Sequence, residues 1–455
     1  MNLSLLIPSR NNLEFLKLCY SSIRKSQDRY RYNIEILVLD DKSDKDNTWE
    51  WCLETMQTDP NFKAFKNNRK ERLGISGGYK FLSQQATQDV IGHFHADMFM
   101  VEGTLDEIEN VLYNYEEKQI SEFGSGSFQE RDYLGRVRKK TETNALIGNT
   151  YIEIPNKNKV VCLTRIEPPI YNEPGLYPEK IIWQDAPIEI EDWNEQKFLV
   201  FLPTAKKMWN GKITAGHFVP FFMFREEYLK LGGVDSDNYK FQAREDSDHA
   251  FRMVLAGYET IQIPTFVYHF ASRGNRRAKD NSGTWKDSPE WQEIDRISTR
   301  NFIRKWGSFH PLHDEFLKPR RPNKFNIGFK IVNCSLDLLY LLEPWCDVLI
   351  NDCHLDDIAK YCKQEQPNTK FIIESRIAPE LSDPDEWKEP EIWVEIDGQR
   401  FGQQEWDYIR NLSEIINQSG EIGEFELGNL KIKISAMNHY ENDLIVCKNE
   451  PINFE

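Results

Sequence analysis

Short apolar runs alternate with amphipathic stretches through the first hundred residues. Leu3–Ile7 is an apolar run closed by Pro8, and Leu13, Leu16, Leu18, Tyr20 and Ile23 follow at helical spacing. Ile34–Leu39 has the continuous apolar character of a strand buried on both faces. A helix is expected near Asn47–Met56, a short strand at Phe62–Phe65, a helix over Ser76–Gln88, a strand at Val90–Phe94 and a helix over Thr104–Tyr115. Strands alternating with helices predict a mostly parallel sheet with helices on both faces. Ligands of such sheets bind beyond the carboxyl ends of the strands. The polar clusters Pro8–Asn12, Asp40–Asp44 and His95–Asp97 all fall at those ends.

The pattern changes after residue 120. Between 121 and 215 the apolar runs Val160–Leu163, Ile181–Trp183 and Phe198–Leu202 are separated by Pro, Asn and Gly clusters. This reads as an irregular, β-rich insertion with loops over the cleft. Trp183, Trp193 and Trp209 either stack on sugar rings or fill a small core. The Pro- and Arg-rich stretch near 316–326 reads as a linker. From 327 a second alternation begins, with strands at Ile327–Val332, Val348–Ile350, Lys370–Ile373, Trp393–Ile396, Leu430–Ile434 and Asp443–Val446. Helices are expected at Leu336–Leu342, Leu355–Cys362 and Gln403–Ile416. The expected organisation is therefore an α/β domain over 1–315 and a small α/β accessory domain over 327–455.

Charge separates the same two regions. Residues 331–455 hold 26 acidic and 10 basic side chains, which accounts for the whole net charge of −16. An acidic second region and a balanced first one disfavour nucleic acid and anionic membranes as partners. No apolar run approaches the roughly 18 residues of a membrane span. The N-terminus lacks the basic segment of a signal peptide, so a cytoplasmic protein is expected. The eight cysteines are scattered, without a CxxC pair, and read as buried free thiols rather than a zinc site.

One cluster carries chemistry directly. Glu245-Asp246-Ser247-Asp248 opens an apolar helical stripe of Ala250, Phe251, Val254 and Leu255 that ends at Gly257. Carboxylates suit a helix N-terminus. A carboxylate fixed on a rigid element beside a cleft is equally the form of a general base.

Four segments together resemble the GT-A glycosyltransferases, above all the inverting enzymes of family two. Leu5-Leu-Ile-Pro-Ser-Arg-Asn11 is similar to the family's opening strand and nucleotide loop, with Ser9 and Arg10 in place of the usual Thr and Tyr. Val38-Leu-Asp40-Asp41-Lys-Ser43-Asp44 resembles its Val-Asp-Asp-Gly-Ser turn. Gly74-Ile-Ser76-Gly77-Gly78-Tyr79-Lys80, followed by His95-Ala96-Asp97, resembles the Gly-x-Ser segment and the Asp-x-Asp motif, with His95 at the first Asp. Gly232-Gly233-Val234-Asp235 with Glu245-Asp246 resembles the Gly-Gly-Phe-Asp segment and the Glu-Asp helix start.

The resemblance implies a GT-A-type sheet and transfer of a sugar from a nucleotide-sugar, UDP-linked by expectation, to a hydroxyl of a glycan or glycosylated acceptor. It implies Asp246 as base, with Glu245 raising its pKa or binding the acceptor. It places Pro8, Ser9, Arg10, Asp40, Asp41, Gly74, Ser76, Lys80 and His95 at the donor, and Asp97 with His269 at Mn²⁺ or Mg²⁺. Asp248 is expected to be a capping carboxylate. The basic run Arg273–Lys279 reads as a solvated loop, with closure over the diphosphate as the alternative. Two rival classes stand beside this one. A nucleotidyltransferase would want a glycine-rich loop after the first strand, where Pro8–Asn12 has none. A degenerate carbohydrate-binding or scaffold module would suit His95, Tyr79 and Lys80 but not an intact Glu245-Asp246 pair.

Overall fold

The computed structural model describes the chain except residues 28–30, 120–125, 132–136, 143–148, 171–179, 210–218, 272, 274–275, 281, 309–320, 378–387, 449–450 and 455, and the side chains of 115–153. Its larger sheet starts as expected. β1 (Asn2–Ser9), β2 (Asn33–Asp40), β3 (Phe62–Lys66) and β4 (Val90–His93) pair in parallel in the order β3-β2-β1-β4. Seven of the eight residues in β1 and in β2 are buried, as a strand covered on both faces requires.

Alternation along β1 sorts the two layers. Leu3, Leu5 and Ile7 pack with Leu16, Cys19 and Ile23 of α1 (Leu13–Ser26), Cys52 of α2 (Thr48–Thr58), and Leu105 and Ile108 of α4 (Thr104–Leu112). Leu6 faces the other way, toward Tyr79 and Leu82 of α3 (Gly74–Gln85) and Tyr228 of α6 (Arg225–Lys230). Ala250 and Met253 of α7 (Glu245–Leu255) share that layer. Close approach explains Gly78 of α3: a Cβ there would sit 2.8 Å from Pro8 Cβ.

The far half of the sheet departs from the expected picture. β5 (Met98–Met100) lies at the edge, and two two-stranded ribbons follow: β6 (Tyr113–Gln119) with β9 (Asn149–Pro155), and β7 (Gly126–Arg131) with β8 (Val137–Glu142). β10 (Lys159–Glu167), taken from sequence as part of a cleft-covering insertion, instead runs through the centre of the sheet. It lies between β12 (Phe221–Phe224) and β13 (Glu259–His269), with β11 (Lys180–Ile182) at its side. β12 runs antiparallel to both neighbours, so the sheet is mixed but mostly parallel. Phe198–Leu202 is not extended. It lies in α5 (Glu195–Trp209), which carries Pro203 and buries Phe198, Ala205 and Trp209 along one side. Trp193 and Trp209 pack in a cluster with Phe99, Phe198, Tyr268 and Phe270, so they fill a core. Trp183 lies at its margin.

The basic run is not a solvated loop in its described part. β14 (Arg277–Lys279) pairs with β15 (Trp285–Asp287), and Arg273 and Arg277 both reach Glu189. α8 (Pro289–Trp306) follows, started by Pro289 and by Ser288, whose hydroxyl accepts from Trp291 N.

The second sheet has the order β17-β16-β18-β20-β19, from β16 (Ile327–Val332), β17 (Val348–Asn351), β18 (Ile392–Asp397), β19 (Gly423–Leu427) and β20 (Leu430–Ile434). Helices α9 (Leu336–Leu342), α10 (Leu355–Glu365), α11 (Ile373–Ile377), α12 (Gln403–Arg410) and α13 (Leu412–Ser419) complete it. Lys370–Ile373 leads into α11 rather than forming a strand. Asp443–Val446 lies in and beyond a 3-10 turn, and the expected helix over Gln403–Ile416 breaks at Asn411. Part of the expected linker lies outside the described residues.

Candidate functional site

The carboxyl ends of β1, β2, β4, β10 and β13 open into one cavity of about 1390 Å³. Pro8, Ser9, Arg10, Asp41, Gly74, His95, Asp97, Glu245, Asp246 and His269 all line it, so residues from every motif read in the sequence meet there. Three do not line it. Asp40 is fully buried, with Oδ1 accepting from Ser43 N at 3.0 Å and Oδ2 without a hydrogen-bond partner. Burial raises its pKa. Ser76 is also fully buried, and Lys80 reaches Asp237 at 3.4 Å. Asp41 is already engaged: it accepts from Leu73 N at 2.9 Å, Gly74 N at 2.8 Å and Asn67 Nδ2 at 2.6 Å, holding the start of α3.

His95, Asp97 and His269 offer two imidazoles and one carboxylate whose ligand atoms lie within 4.8 Å of one another. His95 Nδ1 is 3.3 Å from His269 Nε2, which is 3.5 Å from Asp97 Oδ1. The other nitrogen of His269, Nδ1, lies 2.8 Å from Glu167 Oε1. Glu167 is flanked by Arg165 at 3.5 Å and Lys180 at 3.3 Å. Burial opposes charge on His269, but Asp97 and Glu167 outweigh it and raise its pKa to about 9. Burial and the charge of His269 bring His95 down to about 4. Burial also works against Asp97, yet His269 holds it below the usual carboxylate range. Such a donor set fits a divalent cation, with imidazole favouring a transition metal. Glu167, Arg165 and Lys180 were not foreseen. Glu167 ends β10, whose place in the sheet had not been foreseen either.

Across the cavity, α7 begins with Glu245 and Asp246. The three non-glycine residues Phe241, Ala243 and Arg244 before it have φ of 69°, 73° and 69°, a costly left-handed geometry. Phe241 forms a parallel bridge with Gly74. Asp246 Oδ1 accepts from Ser247 N at 2.7 Å. Both side chains are half-buried. Burial and the charge of Asp246 push the pKa of Glu245 well above the carboxylate range, and its Oε2 has no hydrogen-bond partner.

Asp248 is no simple cap. It is completely buried and accepts from Arg252 Nε at 2.8 Å and Trp306 Nε1 at 2.9 Å, with Lys305 Nζ 2.7 Å away. It fastens α7 to α8. The buried Tyr79 donates to Phe94 O at 3.1 Å and stacks on His93 at 3.9 Å, so it packs rather than binding. Arg273 lines the cavity, donates to Glu189 at 2.6 Å and lies 4.6 Å over Phe15.

Comparison with known proteins meets this site at its front half. Residues 4–155 match the family model Glycosyl transferase family 2. The resemblance read from the motifs is thereby borne out over about one third of the chain. The matched stretch holds the first three motifs, while Glu245, Asp246 and His269 lie beyond it. No curated protein matches the chain. Among solved structures, GalNAc-T7 with UDP, GalNAc and Mn²⁺ is 13% identical over 67% of this chain and 48% of its own, at a TM-score of 0.40. The mannosyltransferase PcManGT from Pyrobaculum calidifontis, in complex with GDP-Man and Mn²⁺, is 15% identical over 66% of this chain and 61% of its own, at 0.36. The chain thus spans about half to three fifths of those proteins. Among the described residues no helix is long and apolar enough to cross a membrane.

Proposed function

We propose that the chain is an inverting glycosyltransferase that moves a sugar from a nucleotide-sugar, UDP-linked, to a hydroxyl of a glycan or glycosylated acceptor. One observation carries this reading: the carboxylate of Asp246 and the His95–Asp97–His269 cluster line a single cavity. Inversion needs those two parts on one pocket, a base for the incoming oxygen and a holder for the outgoing diphosphate.

Asp246 takes the proton from the acceptor hydroxyl as that oxygen attacks the anomeric carbon on the face opposite the nucleotide. The glycosidic bond to oxygen forms while the bond to the diphosphate breaks, so no covalent enzyme intermediate arises. His95, Asp97 and His269 would hold a divalent cation, Mn²⁺ or Mg²⁺, which when bound neutralises the diphosphate leaving group. Glu167 would keep the Nδ1 proton of His269, so that loss of the Nε2 proton turns that nitrogen into a ligand. Pro8, Ser9 and Arg10 line the cavity on the donor side. Glu245, protonated near neutral pH by its burial beside Asp246, donates a hydrogen bond to the acceptor.

The test is UDP release from a panel of UDP-sugars, with and without Mn²⁺, in wild type and in Asp246→Asn. The expected result is metal-stimulated release with one donor, lost in Asp246→Asn while UDP still binds. Unchanged turnover in that variant would move the base elsewhere.

A further inference from the structure

The second sheet is covered on one side only. Successive residues of a strand point to opposite faces. Phe329, Leu349, Val394 and Ile432 are buried in the core that the helices α9–α13 complete. The residues that alternate with them, Lys330, Ile350, Glu395 and Lys431, are exposed. α8 joins this unit from the helix side. Arg300 donates to Tyr340 O at 2.7 Å and to Tyr361 Oη at 2.7 Å, and Arg304 to Glu343 at 2.6 Å. The open face of the sheet therefore lies on the side away from α8.

Charge on that face alternates from strand to strand. The register sets Lys330 of β16 beside Glu395 of β18, Glu395 opposite Lys431 of β20, and Lys431 opposite Glu426 of β19. The next row reads Gly328, Trp393, Lys433 and Glu424 over the same four strands. Lys330 Nζ lies 4.6 Å from the Trp393 ring, and Lys433 is 3.5 Å from Glu424. Among the described residues, Glu395, Lys431 and Glu426 make no side-chain hydrogen bond or ion pair within the chain. Three lysines and three glutamates leave the face neutral, although residues 331–455 account for the whole net charge of −16.

A row that reads lysine, glutamate, lysine, glutamate is its own complement. Consider a two-fold axis parallel to the strands, between β18 and β20. It sets Lys330 against Glu426 of a second copy and Glu395 against Lys431, each pair made twice. In the next row it sets Trp393 against Lys433, a favourable ring–cation pair. A partner of uniform charge, such as a nucleic acid or an anionic membrane, would meet the wrong sign on every second strand. We propose that the open face of the second sheet is the interface of a homodimer of this chain. Five strands about 4.8 Å apart, over about five residues of about 3.3 Å each, give a face of roughly 20 by 17 Å. That is the low end for a specific interface, so the dimer is reversible and concentration-dependent. Its pairing rests on the register of the second sheet and stands apart from the transferase reading.

Sedimentation velocity of the full chain over a concentration series tests this, with circular dichroism as the check on folding. Glu395→Lys and Lys431→Glu each set like charges against each other in a homodimer. Mixed together, the two variants restore opposite charges at both positions. The expected result is a wild-type dimer, association at least 10-fold weaker in each variant alone, and wild-type association in the equimolar mixture. Lys330→Glu and Glu426→Lys, the outer pair, repeat the test at separate positions. A wild type that stays monomeric throughout overturns the proposal and leaves the face to solvent or to a different protein. Variants that dimerise like wild type overturn it too, and so does a mixture that stays as weak as its parts.

Discussion

The backbone N–H of Ser76 donates to the carbonyl of Phe241 at 2.9 Å. This bond ties the start of α3, inside the segment that matches the family, to the strained turn that delivers Glu245 and Asp246. The two sides of the cavity are therefore held by main chain as well as by side chains. Strain at Phe241, Ala243 and Arg244 persists only where surroundings fix it, and α3 is part of that surrounding.

Gly74→Ala tests the tie. Gly74 has φ of +66°, and an added Cβ would lie 2.2 Å from Phe241 Cα, so the backbone itself has to move. The left-handed conformation alone costs about 1–2 kcal/mol for a residue with a side chain. The expected outcome is a loss of at least about 2 kcal/mol in urea unfolding. Sugar transfer should fall more than metal binding does, because the displaced turn carries Asp246 and not the histidines. Equal activity in the variant would show that the turn is placed by α7 and α8 alone.

Glu167→Gln tests the second partner of His269. Under the proposed ligand set, an Nδ1 proton held by this carboxylate would leave Nε2 to coordinate once its own proton is lost. Loss of such a partner typically weakens metal binding about 10–100-fold. Isothermal titration of Mn²⁺ should show a loss in that range, with melting temperature close to wild type. An unchanged affinity would mean that His269 is not a ligand.

Metal choice follows from the same donors. Two imidazoles and one carboxylate suit Mn²⁺ and later transition metals, whereas Mg²⁺ prefers oxygen. UDP release should therefore be supported by Mn²⁺ and weakly or not at all by Mg²⁺. His95→Asp should narrow the gap, because it restores a second oxygen ligand. Parallel titrations of both metals on both proteins decide it, and equal support of wild type by the two ions contradicts the assigned ligands.

How much of this was legible in the sequence depends on where order came from. The strand-end clusters Pro8–Asn12, Asp40–Asp44 and His95–Asp97 were legible because buried parallel strands are continuous apolar runs, and their ends are marked by the first polar residues. β10 was not, because Val160–Leu163 is short and sits among turn formers. Its place between β12 and β13 is decided by pairing across the sheet. Glu167 was hidden with it. Phe198–Leu202 shows the usual ambiguity of a short apolar run, made worse by Pro203. Its helix is visible only over the longer spacing of Phe198, Ala205 and Trp209. Lys80 and Ser76, read from the motif as donor contacts, lie outside the cavity lining, because α3 turns both into its buried side.

Glu245 offers a pH test. Its burial beside Asp246 favours the neutral form, with a pKa raised to about 8. Because the folded value lies above the unfolded one of about 4.3, the stability is fully present below about 4.3 and is lost as pH rises from there through about 8. Transfer should fall with rising pH in the same region, as a second negative charge appears beside the proposed base, Asp246. Glu245→Gln mimics the neutral acid, so it should keep most activity at pH 7 and show a flatter profile above pH 8. Activity in this variant that is lost at every pH would make the ionised carboxylate the working form.

The junction of the two sheets has its own acid sensitivity. Glu343 is fully buried and accepts from Arg304 Nη2 at 2.6 Å, Arg376 Nε at 2.6 Å and Tyr361 Oη at 2.8 Å. Burial acts to raise its pKa, but the guanidinium groups outweigh it and hold the carboxyl well below the usual range. Arg304 sits on α8, whose next residues, Lys305 and Trp306, hold Asp248 of the α7 helix. A lowered folded value places the stabilisation above the unfolded pKa of about 4.3, to be lost as pH falls through the lower folded value. Glu343→Gln leaves buried guanidinium charge without its partner, which costs about 3–5 kcal/mol. Urea melts at pH 7 should show that loss, and the difference between variant and wild type should shrink in strong acid. Because α8 links the second sheet to α7, the variant should also lose sugar transfer at temperatures where the proposed site of His95, Asp97 and His269 still binds Mn²⁺. A variant as stable as wild type would mean that the apolar contacts of Ile303 and its neighbours hold the junction alone.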